Sequence, residues 1–577
     1  MESKEDITHT TQIKTEEFVT QINDLLNECK TEEVIRLLEK NTHQVLFDSA
    51  AICLIISKLT RSVLHHEKEV FKCAFNVLMH MAKTEACYMI IELQKYLMQA
   101  SDHENFSAVL NVLRICLIKV PTKQDKVIDW YLKSLGIYIK CLPLSDELLD
   151  NPEDIDRLIY TYEEILTFTE SIVKEMINSN SISENKSLSG KFIFTFLIKL
   201  FEKPFCFLDK YIPKRIKYTN LIDNIMKQAF YLNGDVLGFL DIVDRKKFPD
   251  FKEDEDEDYN NPILSQWIYE IPDLAYGNFY FHVVTKEKYW INVPQVYNFY
   301  YIFEICTFFF KELLNHQCSI SNGLTFMETV MRRIPLYSLN SQVFELEIYI
   351  ELLASITKIM IYSNSDKQRK HAVSVLQNYI EIFDMEARYA VIVNLYAIAE
   401  HSGLRSHITG IFKSSIIQCL STTPPNPQFL GRNMEILLKK ACNLPHGGFS
   451  DIIELTEEII TALNLLRFLF IRDQDNETGI WDMEDMLEND YLIPLRQGID
   501  LCRAHWTVKM ADLKQTKNLT EKQDAESVNA NIEVELFVGG KLLPIMPVSD
   551  KIEICYQALN AIDVIESILV RVNECLD

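Results

Sequence analysis

Three acids alternate in the stretch RDQDNETGIW, residues 472–481: Asp473, Asp475 and Glu477, with Glu484 farther along. Alternating acids closed by a glutamate at the twelfth place are how a calcium loop gathers hard oxygen ligands. That loop needs glycine at its sixth place for the sharp turn, and here Thr478 stands there with Gly479 one residue late. A one-residue slip changes which oxygens face inward, and Glu477 is longer than the Asp or Asn usual at the fifth place. The stretch therefore reads as a turn between two helices and not as a cation site.

The other reactive residue types lack the required spacing. His65 and His66 precede Glu67, whereas a zinc helix sets two histidines one turn apart around a glutamate. The fourteen cysteines contain no CxxC pair, and the two nearest in sequence are Cys306 and Cys318. No glycine-rich phosphate loop joins a strand to a helix, and no serine sits in a nucleophile elbow. These observations predict a chain with no enzymatic activity and no metal or cofactor of its own.

What remains is surface chemistry around the same turn. In the helix that precedes it, Leu455, Ile459, Leu463, Leu466 and Phe470 share one apolar stripe, leaving Asn464 and Arg467 on another face and Arg472 at the exit. In LRQGIDLCRAHWTVKM the stripe is Leu495, Ile499, Cys502 and Trp506, with Arg496, Asp500 and Arg503 on the opposite side. The arginines either pair with neighbouring acids, worth little each, or form a binding face, since arginine is enriched among interface hot spots. Periodicity alone favours the first.

The elements that position these groups are helical. Glycine (15) and proline (17) are scarce for 577 residues, which points to helices joined by short loops. In HAVSVLQNYIEIF, Ala372, Val375, Leu376, Tyr379, Ile380 and Phe383 lie on one face, with Ser374, Gln377 and Glu381 elsewhere, and the preceding SNSD (363–366) supplies caps. A second helix, ARYAVIVNLYAIAE, runs to His401–Gly403, where glycine can end it, and a third begins near His407. Such helix pairs predict an all-α, HEAT-like helical-repeat solenoid. Its length demands more than one core, placed here as an N-terminal half, 1–320, and a C-terminal half, 321–577. A small β-hairpin is expected near the C-terminus, where Ile532, Val534 and Leu536 alternate ahead of Gly539-Gly540. The last helix then sets Ile562, Ile565, Leu569 and Val572 on one face.

The formal charge of −25 opposes nucleic-acid binding, which needs a basic surface to displace counterions. Polar 178–190 and the acid run within 251–262 read as solvated loops, and STTPPNPQ (421–428) as a proline-stiffened connection. The charged start MESKEDITHT lacks the apolar core of a signal peptide, and VYNFYYIFEICTFFF contains Glu304 and is too short to span a bilayer. A cytoplasmic location, with thiols kept reduced and no membrane partner, is the expectation.

The segment EIITALNLLRFLFIRDQDNETGIWDMEDMLENDYLIPLRQGIDLCRAHW resembles the glomulin family in residue types and order: Asn464 to Arg467, Thr478 to Trp481, Pro494-Leu495 and Ala504 to Trp506. The likeness continues in Asp563 to Val572, Ile545 to Pro547 and His401 to Gly403, with weaker echoes at Leu274 to Tyr276 and Gly238 to Leu240. The resemblance implies a helical-repeat protein whose C-terminal part binds the RING domain of the Rbx-type subunit of cullin–RING ubiquitin ligases. A ubiquitin-conjugating enzyme can then no longer dock, and any zinc belongs to the RING partner. The family is also linked to FK-binding immunophilins and to a growth-factor receptor. The family fixes the region; the contact residues Asn464, Arg467, Arg472, Arg496 and Arg503 are chosen within it from periodicity. The alternative for the same helical pattern is a generic HEAT-type scaffold or trafficking adaptor.

Overall fold

The computed structural model describes residues 4–40, 45–97, 103–119, 124–142, 152–178, 188–210, 215–247, 261–345, 347–523, 537–538, 541–542 and 546–576. The chain divides into two compact units, Met1–Val330 and Met331–Asp577. The helix Ile320–Met331 runs across the sequence-based boundary at 320/321, and the first unit extends to Val330.

Within the first unit most helices pack on the next or next but one. Ala86–Leu97 lies on His103–Lys119, which also meets Lys68–Thr84 and Pro152–Asn178, and the latter meets Arg215–Leu232. Helix Asp273–Thr285 is buried from Leu274 to Val284, as a helix apolar on every side must be. Tyr276 and Tyr280 stack on Phe309 of the Phe299–Asn315 helix, both with ring centroids 5.8 Å apart. Gly277 permits that approach, since a Cβ there would sit 2.9 Å from Leu313 Cγ. Asp129, buried, accepts from Trp267 Nε1 at 2.5 Å and pairs with Lys133 at 3.0 Å, so its charge is compensated.

In the second unit Ile348–Tyr362 pairs with Asp366–Glu381 and Met385–Ile398 with Ser402–Leu420. The predicted stripe Ala372, Val375, Leu376, Tyr379, Ile380 and Phe383 is buried, and Ser365 caps the helix by accepting from Gln368 N at 3.4 Å. One reading is corrected. The third helix starts at Ser402 and not near His407, because His401 Nδ1 accepts from Gly403 N at 3.1 Å and caps it, while the second helix has already ended at Ala399. Gly403 thus lies in a first turn and closes nothing.

Two arginines, one buried and one half-buried, join these pairs. Arg388, 2 % exposed, donates to the carbonyls of Ile380 (3.0 Å) and Glu381 (3.0 Å) at the end of the Asp366–Glu381 helix, adding to the backbone donors Phe383 N and Tyr337 N. Arg405 donates to the buried Glu458 at 2.7 Å and to Lys440 O at 2.6 Å, tying Ser402–Leu420 to the next long helix, Thr456–Arg472. Burial raises the Glu458 carboxyl, and the Arg405 charge opposes that rise.

The expected hairpin is reduced, among the described residues, to Phe537–Val538 paired antiparallel with Lys541–Leu542. Two residues a side make no structural layer, and the architecture is helical throughout; Ile532, Val534 and Leu536 lie outside the described residues, as does the acid run at 253–258. No helix of the described residues is long and apolar enough to cross a membrane.

Among the described residues His282, in the buried Asp273–Thr285 helix, has no hydrogen-bond partner on either ring nitrogen, and burial, aided by the Lys286 charge, pushes its imidazole down to about 3 from 6.5. The unfolded chain therefore takes up this proton at a higher pH than the folded chain does. Its contribution is intact above about 6.5 and is lost progressively as pH falls toward about 3. The urea midpoint of His282→Phe should fall less between pH 7 and pH 4 than that of the parent. An equal fall in both would show that His282 is not a source of acid sensitivity.

Candidate partner-binding surface

The helix Thr456–Arg472 buries Ile459, Ala462, Leu463, Leu465, Leu466, Leu469 and Phe470 against Ser402–Leu420 on one side and Val548–Leu576 on the other. Four of the five residues of the predicted stripe are buried; Leu455, the residue before the helix, is half-buried. A helix gripped from two sides keeps one free flank. Asn464, Arg467, Phe468, Ile471 and Arg472 recur along it at helical spacing, with Asn464, Ile471 and Arg472 exposed and Arg467 and Phe468 half-buried.

Asp473 ends this helix. Its buried carboxylate accepts from Glu477 N (2.7 Å), Thr478 N (2.7 Å) and Thr478 Oγ1 (2.5 Å), while its carbonyl accepts from Trp481 Nε1 (2.7 Å). Asn476 adopts φ 55° and Gly479 φ 81°, left-handed positions suited to asparagine and glycine. Asn476 Oδ1 accepts from Trp481 N at 3.1 Å, and the Trp481 ring lies 5.1 Å from Phe470. Both Asp473 oxygens are thus turned into the loop's own backbone. The acid and amide spacing builds an interhelical turn, and among the described residues no His, Cys, Asp and Glu cluster has the geometry to hold a metal ion.

Beyond the turn the chain runs from a 3-10 turn, Trp481–Met483, to the long helix Ile493–Gln523 through a π-turn, Glu488–Leu492. Pro494 explains the π-turn: proline supplies no N–H, and its ring would meet the carbonyl four residues back in a regular helix. Leu495 and Ile499 are buried as predicted, but Cys502 and Trp506 are only half-buried, since this end of the helix packs mainly on Val548–Leu576. That last helix buries Ile562, Ile565, Leu569 and Val572, as their spacing foretold.

The five residues chosen from periodicity separate into two groups. Arg496 forks onto Glu488 of the π-turn and donates to Asn573 Oδ1 at 2.8 Å on the last helix. Arg503 donates to Asp563 at 2.6 Å and Glu566 at 2.7 Å, also on the last helix. These two therefore clamp helix to helix. Asn464 donates to Ile460 O at 2.8 Å within its own helix, leaving its side-chain oxygen outward. Arg467 and Arg472 meet no carboxylate among the described residues, and Lys413 lies over the Phe468 ring at 4.9 Å beside them. The result is a cationic strip with an apolar edge, Phe468 and Ile471, on a chain of formal charge −25. Sequence reasoning missed Phe468, Ile471 and Lys413. The first two stand four and seven residues after Asn464, a spacing that places them on its flank.

Replacing Asp473 by Ala strands two backbone N–H groups and the Thr478 hydroxyl, at a cost of about 3 kcal/mol. The thermal midpoint should fall, with Asp473→Asn falling less. Added calcium should leave the parent's midpoint unmoved, and a calcium-dependent rise would restore the cation reading.

The family model described as "Uncharacterised protein family, YAP/Alf4/glomulin" matches residues 301–537, which include the turn, the strip and both clamping arginines. Glomulin of Homo sapiens is 24 % identical over 587 aligned residues, covering 96 % of this chain and 92 % of the human protein. Glomulin of Mus musculus is 25 % identical over 496, covering 81 % and 77 %. Along most of its length the chain is thus similar to glomulin, and over residues 301–537 it matches the YAP/Alf4/glomulin family model.

Proposed function

We propose that this chain is a cytoplasmic, non-catalytic regulator of cullin–RING ubiquitin ligases, binding the RING domain of the Rbx-type subunit through its C-terminal unit. The similarity to glomulin over 96 % of the chain carries the proposal. The free flank of Thr456–Arg472 supports the placement, because it combines unpaired cations with exposed apolar area inside the segment the family model matches.

The mechanism is occlusion. To keep a conjugating enzyme off the RING, a surface must cover the same face, at roughly 800 Å² per partner. One helix flank is too small, so the helix pairs of the second unit, stacked as a HEAT-like solenoid, supply the remainder. Asn464, Arg467 and Arg472 form the polar centre, where forked guanidinium groups bond RING carboxylates or carbonyls. Phe468 and Ile471 add the apolar contact that excludes water around them. No bond is made or broken, and zinc in the complex stays with the RING.

The structure separates two variants that periodicity alone would have pooled. Arg467→Glu with Arg472→Glu should weaken binding of an isolated RING subunit by about 2 kcal/mol or more, roughly 30-fold, with the thermal midpoint kept. Arg503→Glu should instead set a third carboxylate against Asp563 and Glu566, lowering the midpoint while leaving RING binding by the folded protein close to that of the parent. Calorimetry and thermal unfolding on the same preparations distinguish them. Undiminished RING binding and ligase inhibition by the Arg467/Arg472 variant would rule out this placement, and absence of RING binding by the parent would favour a scaffold role.

A further inference from the structure

Two buried sulfurs in the first unit meet across a long stretch of chain. Cys206, in the 3-10 turn Phe205–Lys210, and Cys318, just ahead of the helix Ile320–Met331, have Sγ atoms 3.2 Å apart though 112 residues separate them. They are 4 % and 9 % exposed. Around the turn, Phe205 packs against Tyr162, Phe201 and Tyr218 at ring-centroid distances of 4.9, 5.3 and 5.1 Å. A disulfide needs sulfurs about 2.05 Å apart. Closing the remaining gap of roughly 1.2 Å is within reach of small side-chain rotations, since neither cysteine sits inside an α-helix.

We propose that Cys206 and Cys318 form a reversible disulfide that staples the first unit when the chain meets an oxidant of the peroxide or disulfide class. One thiol gives up its proton and attacks the oxidant, breaking its O–O or S–S bond and releasing one half as water, alcohol or thiol, and the second thiol displaces the other half from the first sulfur. The S–S bond forms, two S–H bonds are lost, and the two electrons and two protons leave with the oxidant. The Cys318 hydrogen bond and burial both raise the Cys206 thiol, so the pair rests as a dithiol at neutral pH and reacts when the turn opens. Linking residues so far apart removes many conformations from the unfolded chain, so the staple stabilises the unit. This inference is independent of the RING reading, because both cysteines lie in Met1–Val330.

The test treats the full-length protein with diamide, whose N=N bond accepts two electrons and two protons. It is followed by denaturation, alkylation of remaining thiols and peptide mapping. A linked pair of peptides carrying Cys206 and Cys318 is expected, cleared by dithiothreitol and absent from Cys206→Ala and Cys318→Ala. The thermal midpoint of the first unit should rise by roughly 5 °C on oxidation. The mapping uses the parent protein, so a poorly folding variant does not obscure the result. If diamide consumes the exposed Cys29, Cys53, Cys87 and Cys141 while Cys206 and Cys318 both remain open to alkylation, the proposal fails. A link that leaves the midpoint unchanged overturns the stapling role.

Discussion

One buried carboxylate fixes the geometry of the C-terminal surface. A helix as apolar as Thr456–Arg472 would otherwise continue or fray, and the following acids and amides have no apolar surface to bury. Asp473 ends it by accepting two backbone N–H groups and a hydroxyl from the next five residues. Trp481 is thereby returned to Phe470, the chain can restart as a helix, and Arg472 is left at an exposed corner. The same reversal brings Ile493–Gln523 alongside the last helix, where Arg496 and Arg503 make their pairs. Turn, clamp and free strip are consequences of one set of hydrogen bonds.

The arginines show why charge alone does not locate a binding face. Arg503 and its two carboxylates are partly exposed, so their attraction is screened and worth little for stability. Yet those carboxylates hold the guanidinium, and a partner would have to displace them. Arg467 and Arg472 need no such exchange. On a strongly acidic chain, a few uncompensated cations beside apolar side chains also favour approach by an acidic partner surface.

Much of the fold was legible because the physics behind it is local. The stripe Ala372 to Phe383 and the face Ile562 to Val572 follow from period and composition, and both are buried. Misreadings occurred where tertiary contact decides. Gly403 fits a helix end by type, but the imidazole of His401 makes its N–H part of a helix start. Cys502 and Trp506 continue an apolar period past the point where only one neighbouring helix remains to cover them. Arg496 and Arg503 are indistinguishable from Arg467 by spacing, since the last-helix groups that hold them, Asn573, Asp563 and Glu566, stand roughly sixty to eighty residues away in sequence. The Cys206–Cys318 approach lay beyond any spacing rule for the same reason.

In the proposed complex the second unit meets a RING domain with the flank that begins at Asn464 and ends at the Asp473 turn. Hydrogen–deuterium exchange of the full-length chain, with and without a saturating zinc-loaded Rbx-type RING subunit, tests it most directly. Protection is predicted for peptides spanning residues 464–479 and for those around Lys413, with peptides of Met1–Val330 unchanged. Protection confined to Met1–Val330, or none at all, would contradict this placement.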